Sequence, residues 1–150
     1  MSYKVRIELF KAFEMDLLDF ESGSALHILN SFDQINWNQQ VNYGLLDGNH
    51  GDFPFFEIEQ IQSGRKIGGL FVVYSHDEYN FNSHAEIYQK QEKLHLFGLF
   101  KTEAMPSFDN EDVPLSAFRS GLEFFLQGND AEVERILQTE YPHYGLRRNF

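Results

Sequence analysis

The sequence predicts an α+β fold: one antiparallel meander sheet of about five to six strands, with one short N-terminal helix and two C-terminal helices packed on it. Three observations carry this expectation. Apolar and polar residues alternate in several stretches before residue 102. The connections between those stretches are short and rich in Gly, Asn, Asp and Ser, which suits an antiparallel meander. After Pro114 the apolar spacing changes from two to that of a helix. The 150 residues are read as a single domain, 1–150.

The elements follow in order. Tyr3, Val5, Ile7 and Leu9 alternate with Lys4, Arg6 and Glu8, a half-buried strand over Tyr3–Phe10. Lys11–Glu21 is acidic and fits neither period. Ser22 or Ser24 caps a short helix in which Ala25, Ile28, Leu29 and Phe32 share a face. Val41, Tyr43 and Leu45 alternate, which predicts a strand over Gln39–Leu46. Asp47-Gly48-Asn49-His50-Gly51 is a turn signal. Phe53–Ile61 is the next strand, with Pro54 near its start, where a missing donor is tolerated. Ser63-Gly64 turns the chain into Ile67–Ser75, a continuously apolar and therefore central strand. His76–Ser83 is a polar loop, and His84–Gln89 with Leu94–Lys101 forms a hairpin. Met105–Asp112 is an acidic, turn-rich connection. Pro114 opens a helix whose Leu115, Phe118, Leu122, Phe125 and Leu126 form one stripe, and Gly128 stops it. Asn129 and Glu132 have the spacing of a capping box, and Val133, Ile136 and Leu137 give the last helix its apolar face before Pro142.

Charge excludes some partners. The 12 Lys and Arg stand against 23 Asp and Glu, a formal net charge of −11. A phosphate backbone or an anionic lipid surface needs the opposite sign, so neither nucleic acid nor membrane is expected as a partner. The charge is not a tail, since the halves on either side of residue 75 carry 10 and 13 acidic residues. There is no cysteine, which removes disulfides, thiolate metal sites and cysteine nucleophiles. Lys4, Arg6, Glu8 and Lys11 interrupt any apolar leader, and Gly68–Tyr74 is far shorter than the ~20 residues of a membrane span. The expectation is a soluble, cytoplasmic protein. Aromatic residues make up 16% of the chain, enough for a Phe-rich core with some left for a surface.

Motifs of catalysis are lacking: there is no phosphate loop, nucleophile elbow, zincin helix or calcium loop. Gly64, Gly68 and Gly69 lead into another strand rather than a helix, and read as hairpin glycines. His76, Asp77, Glu78 and His84 would bind a metal if a hairpin brought them together; the plainer reading is a solvated loop. Glu57 and Glu59 share one strand face, either as a carboxylate pair in a cavity or as a solvent face. No catalytic residue, cofactor or metal is assigned. Acidic segments with interleaved aromatics suit a protein–protein surface, where charge speeds encounter and aromatics anchor. The candidate contacts are Asp47, Asp52 and Phe53, then Asp77, Glu78, Tyr79 and Phe81, then Asp109, Glu111 and Asp112.

The segment Asp112-Val113-Pro114-Leu115-Ser116-Ala117-Phe118-Arg119-Ser120-Gly121-Leu122-Glu123-Phe124-Phe125-Leu126-Gln127-Gly128-Asn129 resembles the late helix of small immunity proteins of bacterial polymorphic-toxin systems, of the contact-dependent and type VI secretion classes. There, too, a short helix and hairpins precede a Val-Pro entry, an Ala/Leu/Phe helix and a Gly stop, here spanning about residues 24–129. Some of those proteins continue into a short Trp-ended strand, whereas Asn129–Thr139 here reads as a helix. The resemblance implies a non-enzymatic inhibitor that binds a cognate toxin domain, often a basic nuclease. It supplies no shared catalytic residues. Two other readings stand beside it: a small-ligand-binding or cavity enzyme on a curved sheet, and an acidic mimic of nucleic acid.

Overall fold

A computed structural model describes residues 1–46, 49, 51–88, 92–94, 100–102 and 105–144, with the side chains of 92–94 and 100–102 excepted. The alternation at the start becomes β1 (Tyr3–Lys11), with Tyr3, Val5 and Ile7 buried. A turn through Ala12, at φ 57°, returns the chain as β2 (Glu14–Ser22), paired antiparallel along all of β1. The acidic segment without a period is thus an edge strand. It shows no alternation because most of it is exposed, so burial imposes no pattern on it. Ser24 caps α1 (Ala25–Asp33) by accepting from the His27 amide, and Ile28 and Phe32 are buried.

The expected strand over Gln39–Leu46 is instead a helix, α2 (Trp37–Gly44). Val41, Tyr43 and Leu45 alternate, but Trp37, Val41 and Leu45 also recur every fourth residue, so both periods fit. Capping and a buried amide decide. Asn36 Oδ1 accepts from the Gln39 amide at 3.1 Å. Gln40 is buried; it accepts from the Phe10 amide at 2.8 Å and donates to the Phe10 carbonyl at 3.1 Å. It completes β1 beyond the point where pairing with the next strand ends.

Next come β3 (Phe55–Gln60), β4 (Lys66–Val73) and β5 (Tyr79–Glu86). Gly64, at φ 75°, is in the β3–β4 turn as expected, but Gly68 and Gly69 lie inside β4. The polar loop expected over His76–Ser83 shrinks to a tight turn, because Tyr79–Ser83 pairs with β4. β6 (Glu92–Leu94) and β7 (Phe100–Thr102) pair with each other in a separate small sheet; of the hairpin expected between His84–Gln89 and Leu94–Lys101, residues 89 and 95–99 lie outside the described residues, and His84–Glu86 pairs instead with a later segment. The expected acidic connection Met105–Asp112 contains β8 (Ser107–Val113), which pairs with β5 through a register shift between Phe81 and Ser83. The main sheet has the order β2-β1-β3-β4-β5-β8, and every neighbouring pair is antiparallel.

Pro114 precedes α3 (Leu115–Leu126), Gly128 ends it at φ 74°, and Asn129 caps α4 (Asp130–Gln138) by accepting from the Glu132 amide. The helices pack on one face of the sheet. Phe32 meets Phe56, Phe81 and Phe118; Phe118 stacks on Phe81 at 4.1 Å between ring centres. Gly69 makes that stack fit, since a Cβ there would lie 3.0 Å from the Phe118 ring. Val133, Ile136 and Leu137 join the same core. A buried ion pair closes one end: Arg65 bonds Asp130 at the start of α4, and its guanidinium lies 4.6 Å from the centre of the Phe125 ring. No helix among the described residues is long and apolar enough to cross a membrane.

Candidate interaction face

With all four helices on one side, the other side of the main sheet lies uncovered by them. Residues directly opposite in an antiparallel ladder share a face. One row across the sheet therefore reads Asp19, Arg6, Glu57, Gly68, His84, Asp109. The next row reads Glu21, Lys4, Glu59, Lys66, Glu86, and a third reads Leu17, Glu8, Phe55, Leu70, Asn82. Seven carboxylates (Glu8, Asp19, Glu21, Glu57, Glu59, Glu86 and Asp109) face the same way as three fixed cations, Lys4, Arg6 and Lys66.

Ion pairs hold part of this face. Arg6 bonds Asp19 at 3.1 Å, and its guanidinium is 5.8 Å from the centre of the Phe55 ring. Lys66 lies 3.4 Å from Glu86, while His84 lies 2.6 Å from Asp109 and 3.6 Å from Glu86. Among the described residues no ion pair engages Glu8, Glu57 or Glu59. The third row mixes apolar and polar residues, with Leu17 and Leu70 exposed and Phe55 half-buried beside Glu8 and Asn82. Gly68, without a side chain, leaves a depression of about 250 Å³ at the middle of the face.

The residues expected to bind a partner do not gather on one surface. Asp109 is on the open face, and Glu111 is exposed nearby on β8. Asp52 and Phe53 line a separate depression of about 310 Å³ at one end of the sheet, with Val73 and Tyr74. Asp77 and Glu78 occupy the β4–β5 turn beside that end, where the Tyr74 amide donates to the Glu78 carbonyl at 2.8 Å. Asp112 is turned inward, bonded to His143 at 2.6 Å and to Asn80 at 3.4 Å. One assignment is corrected: Phe81 is 0% exposed and stacks on Phe118, so it belongs to the core. Tyr79 is half-buried against Phe71, at 5.4 Å between rings. Phe81 changes role because the expected loop is strand, which aims it at the helices. Asp47 lies outside the described residues.

His76, Asp77, Glu78 and His84, weighed as a metal constellation against a solvated loop, are not brought together. His76 is in the β4–β5 turn, whereas His84 sits well along β5 beside Asp109. Among the described residues no group of three or more His, Asp or Glu side chains is placed to hold a metal ion. Glu57 and Glu59 form a solvent-side strand face, the plainer of their two readings. No protein-family model, curated protein or solved structure matches this chain. The sequence signal for the open face was present: Lys4/Arg6/Glu8, Glu57/Glu59 and His84/Glu86 are the polar halves of three alternating strands.

Proposed function

We propose that this chain is a non-enzymatic inhibitor of the immunity type, which neutralises a basic toxin domain by binding it on the open face of the sheet. One observation carries the reading: a broad face free of helices with seven carboxylates against three fixed cations and an adjacent apolar pair, Phe55 and Leu70. Such a surface combines long-range attraction for a basic partner with an apolar centre that excludes water on contact. The resemblance around Asp112–Asn129 points to the same class of protein.

The test is association with the toxin domain encoded beside this gene, followed by surface plasmon resonance. Charge reversal of the half-buried pair, Glu57→Lys with Glu59→Lys, removes two negative charges from the contact and adds two positive ones. The association rate should fall by about tenfold at low salt, with the dissociation rate changed less. Rescue of growth in cells expressing the toxin should weaken in parallel. A neighbour that is no toxin, or binding indifferent to this double variant, sinks the reading.

A further inference from the structure

We propose that the depression over Gly68 is a receptor for a single arginine side chain of the partner. This rests on the open face being the contact surface, and it adds the chemical group that the centre of that face selects. The floor is the backbone of Gly68 and Gly69 in the middle of β4. The walls are Phe55 and Leu70 on one side, and Glu57, Asn82, Lys66 and His84 around the rest. The volume, about 250 Å³, accommodates an alkyl stem and a planar head group.

Charge decides among the ligands that fit. Lys66 is drawn to Glu86, and His84 is held between Asp109 and Glu86. These cations are answered within the face, whereas Glu57 and Glu59 have no ion-pair partner among the described residues. Over the two rows that meet at the depression, six carboxylates (Asp19, Glu21, Glu57, Glu59, Glu86 and Asp109) stand against three fixed cations (Lys4, Arg6 and Lys66), which disfavours an anion. Chelation of a metal is also disfavoured. Among the described residues no group of three or more His, Asp or Glu side chains is placed to hold a metal ion. An arginine answers each wall at once. Its stem packs on Leu70 and its guanidinium meets the Glu57 carboxylate and the Asn82 amide oxygen, close to the Phe55 ring. Arg6 already places a guanidinium 5.8 Å from the centre of that ring, which shows the ring accepting such a neighbour within the fold. Central pockets of this kind are where arginine anchors contribute most to an interface.

The depression exists because position 68 has no side chain. A Cβ there would lie 3.1 Å from Glu57 Cβ and Cγ and 3.2 Å from the Phe56 carbonyl oxygen. Substituting Gly68 would therefore disturb the strand as well as fill the site. Glu57→Gln keeps the shape and removes the charge, and is the better variant.

The experiment titrates the full chain with an acetylated and amidated Ala-Ala-Arg-Ala-Ala peptide. It follows the amide resonances of Gly68, Gly69 and Leu70 by NMR. The same peptide with citrulline, which keeps the shape without the charge, is the paired probe. The expected result is saturable shifts confined to those amides and the Asn82 side chain. The dissociation constant should be at least tenfold weaker for citrulline, and tenfold weaker for Glu57→Gln. Equal binding of the citrulline peptide, shifts centred elsewhere, or no shift at the highest soluble concentration would each overturn the proposal. These failures are separable from failure of the functional reading. A basic toxin domain that still binds in a manner sensitive to Glu57 and Glu59 leaves the open face as the contact while removing the arginine site.

Discussion

At the scale of single residues, a few buried polar groups hold together parts of the chain far apart in sequence. Asp130 is the clearest. One carboxylate bonds the Arg65 guanidinium and also accepts from the Tyr88 amide at 2.9 Å. Arg65 is only 7% exposed, so deleting its partner leaves a buried, unanswered cation. Asp130→Ala should cost about 3 kcal/mol, measured by urea unfolding. Arg65→Met combined with Asp130→Ala should cost less than Asp130→Ala alone, because it removes both charges and with them the need for a partner. Tyr88 supplies a pH signature at the same end. Its hydroxyl donates to Glu134 at 2.6 Å, and that hydrogen bond, then burial, then the charges of Glu134 and Asp130 raise its pKa from 10.0 to about 12. A raised value in the fold means that this contribution is complete below pH 10 and fades as the pH climbs through 12. Unfolding free energy should fall over that window, and Tyr88→Phe should make the fall shallower while costing about 1 kcal/mol at neutral pH.

At the scale of elements, the two edges of the sheet differ. β8 is tied down: Asn110 donates to the carbonyls of Leu137 and Thr139 at 2.9 and 2.8 Å, and Asp112 holds His143. β2 is covered at its end, where Phe20 and Ser22 meet His27 of α1, but along its middle Leu17 is 53% and Leu18 56% exposed, on opposite faces of an outermost strand. An exposed edge of nine residues invites pairing with another chain. Glu14, Asp16, Asp19 and Glu21 are the guard, since a second β2 alongside would double the four carboxylates on one seam. Glu14→Gln, Asp16→Asn and Glu21→Gln together should therefore promote self-association, seen as heavier sedimentation than the parent at equal concentration. Asp19 is left in place because it bonds Arg6. α2 shows how little local preference can settle. Its residues serve either period, and the choice rests on Gln40 reaching Phe10, thirty positions away in sequence. Gln40→Ala should leave the Phe10 amide and carbonyl unanswered and cost about 2 kcal/mol in chemical unfolding.

At the scale of the whole molecule, net charge and sheet geometry act together. A charge of −11 spread over both halves produces a field felt well before contact. Association with a basic partner should slow as salt rises, mainly through the on-rate, and stopped-flow mixing across an ionic-strength series would show it. Rates that ignore salt would mean an interface built on apolar contact alone. By itself the amino-acid sequence determined the α+β class, β1, β3 and β4 through their alternation, and both C-terminal helices through the stripe from Leu115 to Leu126, Gly128 and the Asn129 cap. These rest on neighbours a few residues apart, which is the range over which pattern acts. Only the tertiary structure decided that β2 and β8 are strands, since Glu14–Ser22 is largely exposed and Ser107–Val113 is rich in Asp and Asn. Their extended form comes from hydrogen bonding to β1 and β5. Only the tertiary structure, too, sent Phe81 into the core and placed Glu57, Gly68 and His84 in one row. Which residues share a row depends on the register between strands, and register is set by packing across the whole sheet rather than by any one segment.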